Sequence, residues 1–443
     1  MYACRYTRPM KETVFGISTV GVAIFALIAI FVFLSNNVPG LLAVIVKILV
    51  VLAPLWAPAI LTFIFWKVWV RYRRAYFIRN QKMAVIEVRI PREINRTPLA
   101  MEAVFAGLHI GIGETTFLDR NFLGKVRTWF SLELVSIDGE VHFFIYTRNF
   151  LKELLKTQIY AQYPEVEIYD VDDYTKFIPF DLDKYAYWGC DFMLGKEDAY
   201  PIRTYIDYGL DKAPLKDEEQ TDPLATVMEL LGSLEKGHQM WLQIIVQTHK
   251  GTKKWPWSSR YSWKNQAAEL IKKIMSDAAK RTGEITGASD DKLVERITLT
   301  EGERDTIKAI ERSISKQGYD CGIRGIYLAE KDKFNPIYLV GMLGVWKQFN
   351  TANLNEFSVT RYLADFNYPW QDFRNILQNR ARRKIYEAYR MRSWFHEPHK
   401  TKAYVFNTEE LATIYHFPGI AIKTPTISRV PSRRGEAPSN LPI

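Results

Sequence analysis

Two long apolar runs at the amino-terminal end constrain this chain more than any other feature. From Val14 to Leu34 there are 21 residues without a charge. As a helix rising ~1.5 Å per residue, such a run would be about 31 Å long, which matches the hydrocarbon thickness of a bilayer. After Ser35-Asn36-Asn37-Val38-Pro39-Gly40, a second run reaches Trp66, broken only by Lys47, and Ile48 to Trp66 supplies 19 uncharged residues. Lys47 can snorkel toward an interface. Pro54 and Pro58 would strain a solvent-exposed helix but are tolerated where neighbouring groups take up the freed carbonyls. Trp56, Trp66 and Trp69 suit interfacial anchoring. A secretory signal fits poorly, because its apolar region is short and is followed by a cleavage site rather than by a second long run. The pattern predicts a two-helix transmembrane hairpin, with a basic juxtamembrane segment, over residues 1–82.

The basic residues give the orientation. Residues 1–82 hold ten Lys or Arg against one acid, Glu12, so most of the formal charge of +10 sits beside the membrane. Arg5, Arg8 and Lys11 precede the first run, and Lys67, Arg71, Arg73, Arg74, Arg79 and Lys82 follow the second. The positive-inside rule then places both termini in the cytoplasm. Anionic headgroups are the nearest partner for Lys67 to Lys82. Only Cys4, Cys190 and Cys321 occur, with no C-x-x-C spacing, which indicates neither a disulfide framework nor a thiolate metal site.

The remainder reads as α+β. Ala84–Ile90 alternates as a strand, Leu99–Ile110 has helical spacing, and Trp129–Ile137 and Glu140–Thr147 flank Asp138-Gly139, a strong hairpin signal. A helix over Phe150–Tyr163 and a strand over Val166–Val171 complete a β-α-β-β-α-β order, the ferredoxin-like arrangement, over 83–180. A second α+β module with insertions, weaker in pattern, is expected over 181–350. Its strands are Trp188–Leu194, Gln239–Thr248 and Cys321–Ala329, and its helices begin at Asp222-Pro223, Trp263 and Glu301. Residues 351–417 read as a helical basic region ending in a short helix capped by Thr408, and 418–443 as a Pro-rich extended tail.

Catalytic signatures are sparse. No G-x-x-x-x-G-K-[ST] occurs, and Gly111-Ile112-Gly113 follows a helix, where it reads as a cap. His396-Glu397-Pro398-His399 lacks zincin spacing, and Pro398 breaks the turn that would align two imidazoles. Asp170, Asp172 and Asp173 lack the EF-hand pattern and read as a solvated strand end, and His142 reads as a sheet-surface residue. No cofactor and no metal site is expected. Between Arg374 and Arg392, seven basic residues (Arg374, Arg380, Arg382, Arg383, Lys384, Arg390 and Arg392) face one acid, Glu387. Such a cluster is either a solvated basic helix or a contact for DNA or an acidic partner surface.

The stretch from Phe406 to Pro418, "FNTEELATIYHFP", with Thr424-Pro425 and "RVPSRRGEAPSNLP" near the end, resembles the segment leading into the motor core of membrane-anchored HerA-like ATPases related to type IV secretion and conjugation. "RIPREINRTPLAMEAVFAGLH" from Arg89, "GKVRTWFSLELVSIDGEVHFFI" from Gly124 and "AQYPEVEIYDVDDY" from Ala161 resemble the non-motor part of similar proteins. The resemblance implies a part that anchors or gates a ring motor. The motor core itself is not in this sequence, so no catalytic residue carries over. What carries over is a contact toward a separate HerA-like ATPase at Thr408, Glu409, Glu410, Leu411, His416, Phe417 and Pro418. The sequence thus points to a non-catalytic membrane-anchored platform that assembles with itself and with that ATPase. Two other classes stay open: an enzyme using His142, Asp170 or His396 in a site assembled only in three dimensions, and a lipid-facing structural protein.

Overall fold

A computed structural model describes residues 40–91, 96–114, 116–211, 222–253, 260–286, 299–360, 372–419 and 429–430. The chain divides into two compact units, residues 1–72 and 73–443.

The first unit is represented by helix α1 (Leu41–Arg79), which continues into the second unit. Pro54 and Pro58 lie inside it. Leu55 is 74% exposed and Val51 68%, and apolar side chains stand out on every side. A helix apolar all round needs an apolar surrounding. Among the described residues it is the one helix long and apolar enough to cross a membrane. The run Val14–Leu34, and with it the first arm of the expected hairpin, lies outside the described residues.

The second unit is a mixed α+β body around a ten-stranded sheet. Its first half contains β1 (Met83–Pro91), α2 (Pro98–Gly107), α3 (Phe117–Asn121), β2 (Trp129–Ile137), β3 (Glu140–Arg148), α4 (Lys152–Gln162) and β4 (Glu167–Val171). Its strands lie in the order β4-β1-β3-β2, each pair antiparallel. Asp138 and Gly139 both take positive φ, 54° and 86°, as a two-residue hairpin turn requires. A Cβ on Gly139 would lie 2.4 Å from the Leu234 carbonyl.

The second half contains β5 (Tyr185–Leu194), α5 (Leu224–Gly232), β6 (His238–Thr248), a small hairpin β7 (Thr252–Lys253) and β8 (Arg260–Tyr261), α6 (Trp263–Thr286), α7 (Glu301–Ser315), β9 (Gly318–Glu330), α8 (Ile337–Gly344) and β10 (Phe357–Thr360). The four long-range strands lie in the order β10-β5-β9-β6, again antiparallel. β2 and β6 pair from Trp129↔Gln247 to Ile137↔Gln239, so the two halves form one continuous sheet. Then come α9 (Ile376–Arg390), β11 (Tyr404–Asn407), α10 (Thr408–Ile414) and β12 (Arg429–Val430). β11 extends the β5 edge of β9, and β12 runs parallel to the end of β1.

The period of two along the strands divides the core. Ile86, Leu132, Leu134, Phe143 and Ile145 meet α2, α4, α5 and α10 through Phe105, Ile159, Leu231 and Leu411. Their neighbours Val85, Val135 and Phe144, with Trp241, face Tyr386 and Tyr389 of α9. The basic helix is therefore a packing element of the sheet's second face, not a freely solvated rod. The expected cap is also shifted by one residue: Asn407 caps α10, and Thr408 is the first residue inside it. Within the expected tail, Arg429–Val430 is strand, and most of the rest lies outside the described residues.

Candidate functional site

The alternation that sends Leu132 and Leu134 into one face sends Glu133, fully buried, into the other. There Arg392 donates to both its oxygens, at 3.0 and 3.1 Å. Ser131 and Gln243 donate to Oε1 at 2.7 and 2.9 Å, and the Tyr174 hydroxyl donates to Oε2 at 2.8 Å. Arg392 also grips Asp173 with two donors, at 2.5 and 3.0 Å, and its guanidinium lies 4.3 Å from the Tyr146 ring centre. Burial opposes the charge on Arg392, but Glu133 and Asp173 overcome it and hold its pKa well above the ordinary value. Asp173 is likewise lowered against its burial, chiefly by Arg392. Burial pushes the Tyr174 and Tyr389 hydroxyls far up. Every charge here is spent on another, so the cluster acts as a clamp that ties the chain after α9 to β2.

A second polar network surrounds α10. Asn407 and Glu410 cap each other reciprocally, at 2.7 and 3.0 Å, and Glu410 accepts from the Ile202 N–H at 2.9 Å. Glu409 meets Arg312 at 3.2 Å and Lys316 at 2.8 Å. His416 lies 3.1 Å from Asp222 and 2.9 Å from the Ala412 carbonyl. Thr408, Glu409, Glu410, Leu411, His416 and Phe417 are each at most 3% exposed, and Pro418 is buried. The segment expected at a docking surface therefore lies within the body.

The basic cluster divides. Arg374, Arg380, Arg383, Lys384 and Arg390 are exposed, Arg382 is half-buried, and Arg392 is buried in the clamp. Arg392 leaves the outward set because it follows the helix end and takes φ 47°, a left-handed conformation that turns its side chain under the sheet.

The three residues of the enzymatic alternative have separate surroundings. His142 lies 2.8 Å from Glu87, and Asp170 pairs with Lys152 at 2.9 Å and Lys156 at 3.2 Å. His396 sits edge-on to Trp129 with ring centres 6.1 Å apart. Asp173 is not the solvated strand end expected from its neighbours, being held by Arg392. A cleft between α2, α4 and the sheet, lined by Leu108, Ile110, Phe130 and Leu154, encloses about 20 Å³, room for about one water. Among the described residues no group of three or more His, Cys, Asp or Glu is placed to hold a metal.

Glu133 and Arg148 were not singled out from the sequence. A charged residue inside "WFSLELVSI" was the available signal for Glu133.

A family model described as a domain of unknown function, DUF8128, matches residues 77–430. The chain belongs to the DUF8128 family. The DUF8128 region begins near the end of α1 and takes in every strand described above. No curated protein gives a significant match. The DUF8128 description names no activity, so function rests on the geometry.

Proposed function

We propose that this chain is a non-catalytic membrane-anchored platform. A two-pass hairpin with both termini in the cytoplasm holds a body made of two ferredoxin-like units fused edge to edge through β2 and β6. The observation that carries the reading is the union of an all-round apolar helix with a sheet whose buried Glu133, Asp173 and Arg392 are consumed in one mutual clamp. The order β4-β1-β3-β2, repeated as β10-β5-β9-β6, supports two units of one design.

The partners of this reading are copies of the chain and a separately encoded HerA-like ATPase. Support for that ATPase comes from the sequence resemblance. Since Thr408–Pro418 is buried, that segment holds the body together, and the exposed basic face of α9 is the better contact for the ATPase's acidic surface or for DNA. Cross-linking of the chain in its native membrane tests the proposal. It expects products linking copies of the chain to each other and to an ATPase bearing a phosphate-binding loop. The purified chain should show no ATP hydrolysis above a blank and no thermal shift with ATP. Saturable ATP turnover by the chain alone would contradict it.

A further inference from the structure

Where β3 ends and β2 begins, one buried cation, Arg148, stands without a carboxylate partner among the described residues. Arg148 is 3% exposed, with its guanidinium 5.0 Å from the Trp129 ring centre and 5.4 Å from that of Phe77. One terminal nitrogen reaches the Val126 and Arg127 carbonyls at 3.3 and 3.5 Å, while Nε has no partner. Among the described residues no carboxylate pairs with it, and burial alone lowers its pKa to about 10. Buried cations are ordinarily paired, because an unpaired one forfeits its hydration.

Three further unsatisfied atoms belong to its surroundings. The Trp129 indole N–H and Nε of Arg74 are buried donors without an acceptor, and Nε2 of His396 is buried with no hydrogen-bond partner. His396 feels its own burial first and then Arg74, Arg127, Lys400 and Arg148, which together hold its pKa down to about 3. Arg127 is already taken, by Asp320 at 2.9 Å and Glu114 at 3.6 Å. Arg74 and His396 are half-buried, whereas Trp129 and Arg148 are buried. Other unsatisfied polar atoms lie elsewhere in the body, at Gln247, Trp346 and Tyr415 among others, but these stand beside a buried charge that no carboxylate among the described residues offsets. An oxyanion would satisfy the donors and neutralise the charge together.

A neighbouring surface indicates where the anion comes from. Arg73 donates to the Phe122 carbonyl at 2.6 Å, and a Cβ on Gly124 would lie 2.3 Å from the Arg73 carbonyl, so the turn after α3 is pressed against α1. α3 and the turn after it expose Phe117 (58%), Leu118 (61%), Phe122 (42%) and Leu123 (47%), with Arg120 among them and Lys125, paired with Asp119 at 2.8 Å, beside them. Exposed apolar side chains beside the cation Arg120 suit the headgroup boundary of a bilayer. Arg74 follows the apolar run by eight residues of the same helix. We infer that Arg74, Arg148, Trp129 and His396 form a site for a phosphate-class oxyanion, presented by an anionic lipid headgroup. The lipid source rests on the membrane reading, whereas the site itself does not.

Melting of the full chain, followed by tryptophan fluorescence, tests both parts. In phosphate-free micelles, about 10 mM inorganic phosphate should raise the melting temperature by about 2 °C or more over chloride of equal ionic strength. Arg74→Gln and Arg148→Met should abolish that rise, and Arg148→Met without phosphate should melt no lower than wild type. In nanodiscs, wild type should melt higher with phosphatidic acid than with phosphatidylcholine alone, and the variants should show no difference. A phosphate response without lipid discrimination would keep the site but overturn the lipid source. No phosphate response in wild type, or an equal response in Arg74→Gln, would overturn the site. Failure to enter nanodiscs would contradict the membrane reading and leave the micelle result to judge the site; if Arg148→Met does not fold, Arg74→Gln decides alone.

Discussion

At the scale of residues, the Glu133–Arg392–Asp173 clamp is the costliest arrangement to break. Removing one partner strands a buried charge, so Arg392→Met or Glu133→Gln should destabilise by about 3–5 kcal/mol in denaturant unfolding. The pair Glu133→Leu with Arg392→Met should cost much less than the two single changes added. Arg392 was read from sequence as one of an outward basic set, because residue spacing extends a helix past its end. The left-handed turn that redirects it is a tertiary outcome. His416 and Asp222 make a second, pH-dependent claim. Burial would push the imidazole down, but Asp222 holds it above its usual 6.5, and Asp222 is itself lowered from 3.8, chiefly by His416 against its burial. The histidine's contribution is therefore complete below 6.5 and is lost as pH rises through the raised value, while the aspartate's is lost as pH falls below 3.8. Melting temperatures from pH 6 to 9 (about three units) should decline in wild type and decline less in His416→Gln.

Among the elements, the short helix α10 was legible in its boundaries but not in its role. Acids in the first turn and a polar cap announce a helix start, whereas complete burial depends on α2, α7 and the loop at Ile202, which lie far away in sequence. Its residues should behave as core: Leu411→Ala should cost about 2–5 kcal/mol and Asn407→Ala about 1–2 kcal/mol in unfolding experiments. The outer face of α9 should behave oppositely. If its four exposed cations meet duplex DNA, the log-log salt slope should be about −4, and exchanging Arg380, Arg383 and Lys384 for glutamine should flatten it by about 2 to 3. Stability should change by no more than about 0.5 kcal/mol in that triple variant. Equal slopes for both proteins would remove DNA from the partners of this helix.

For the whole molecule, the first half of the sheet could be read strand by strand, because its turns are short and Asp138-Gly139 marks the hairpin. The second half was harder. Its strands are separated by α6 and α7 and by residues outside the described set, so a local pattern could not show that β9 lies between β5 and β6, or that Phe357–Thr360 closes the far edge. The union of the halves through β2 and β6 carries no sequence signal, since any exposed edge strand offers the same backbone groups. The long apolar helix, by contrast, was legible in composition alone, and the two-pass orientation proposed for the chain underlies the platform account. Cysteine accessibility in intact cells measures it most directly. With Cys4 replaced by serine and Cys190 and Cys321 buried, single cysteines at Asn36 and Arg79 can be probed with an impermeant thiol reagent. The account predicts labelling at position 36 from outside and at position 79 only after permeabilisation; the reverse pattern, or labelling of both in intact cells, would contradict it.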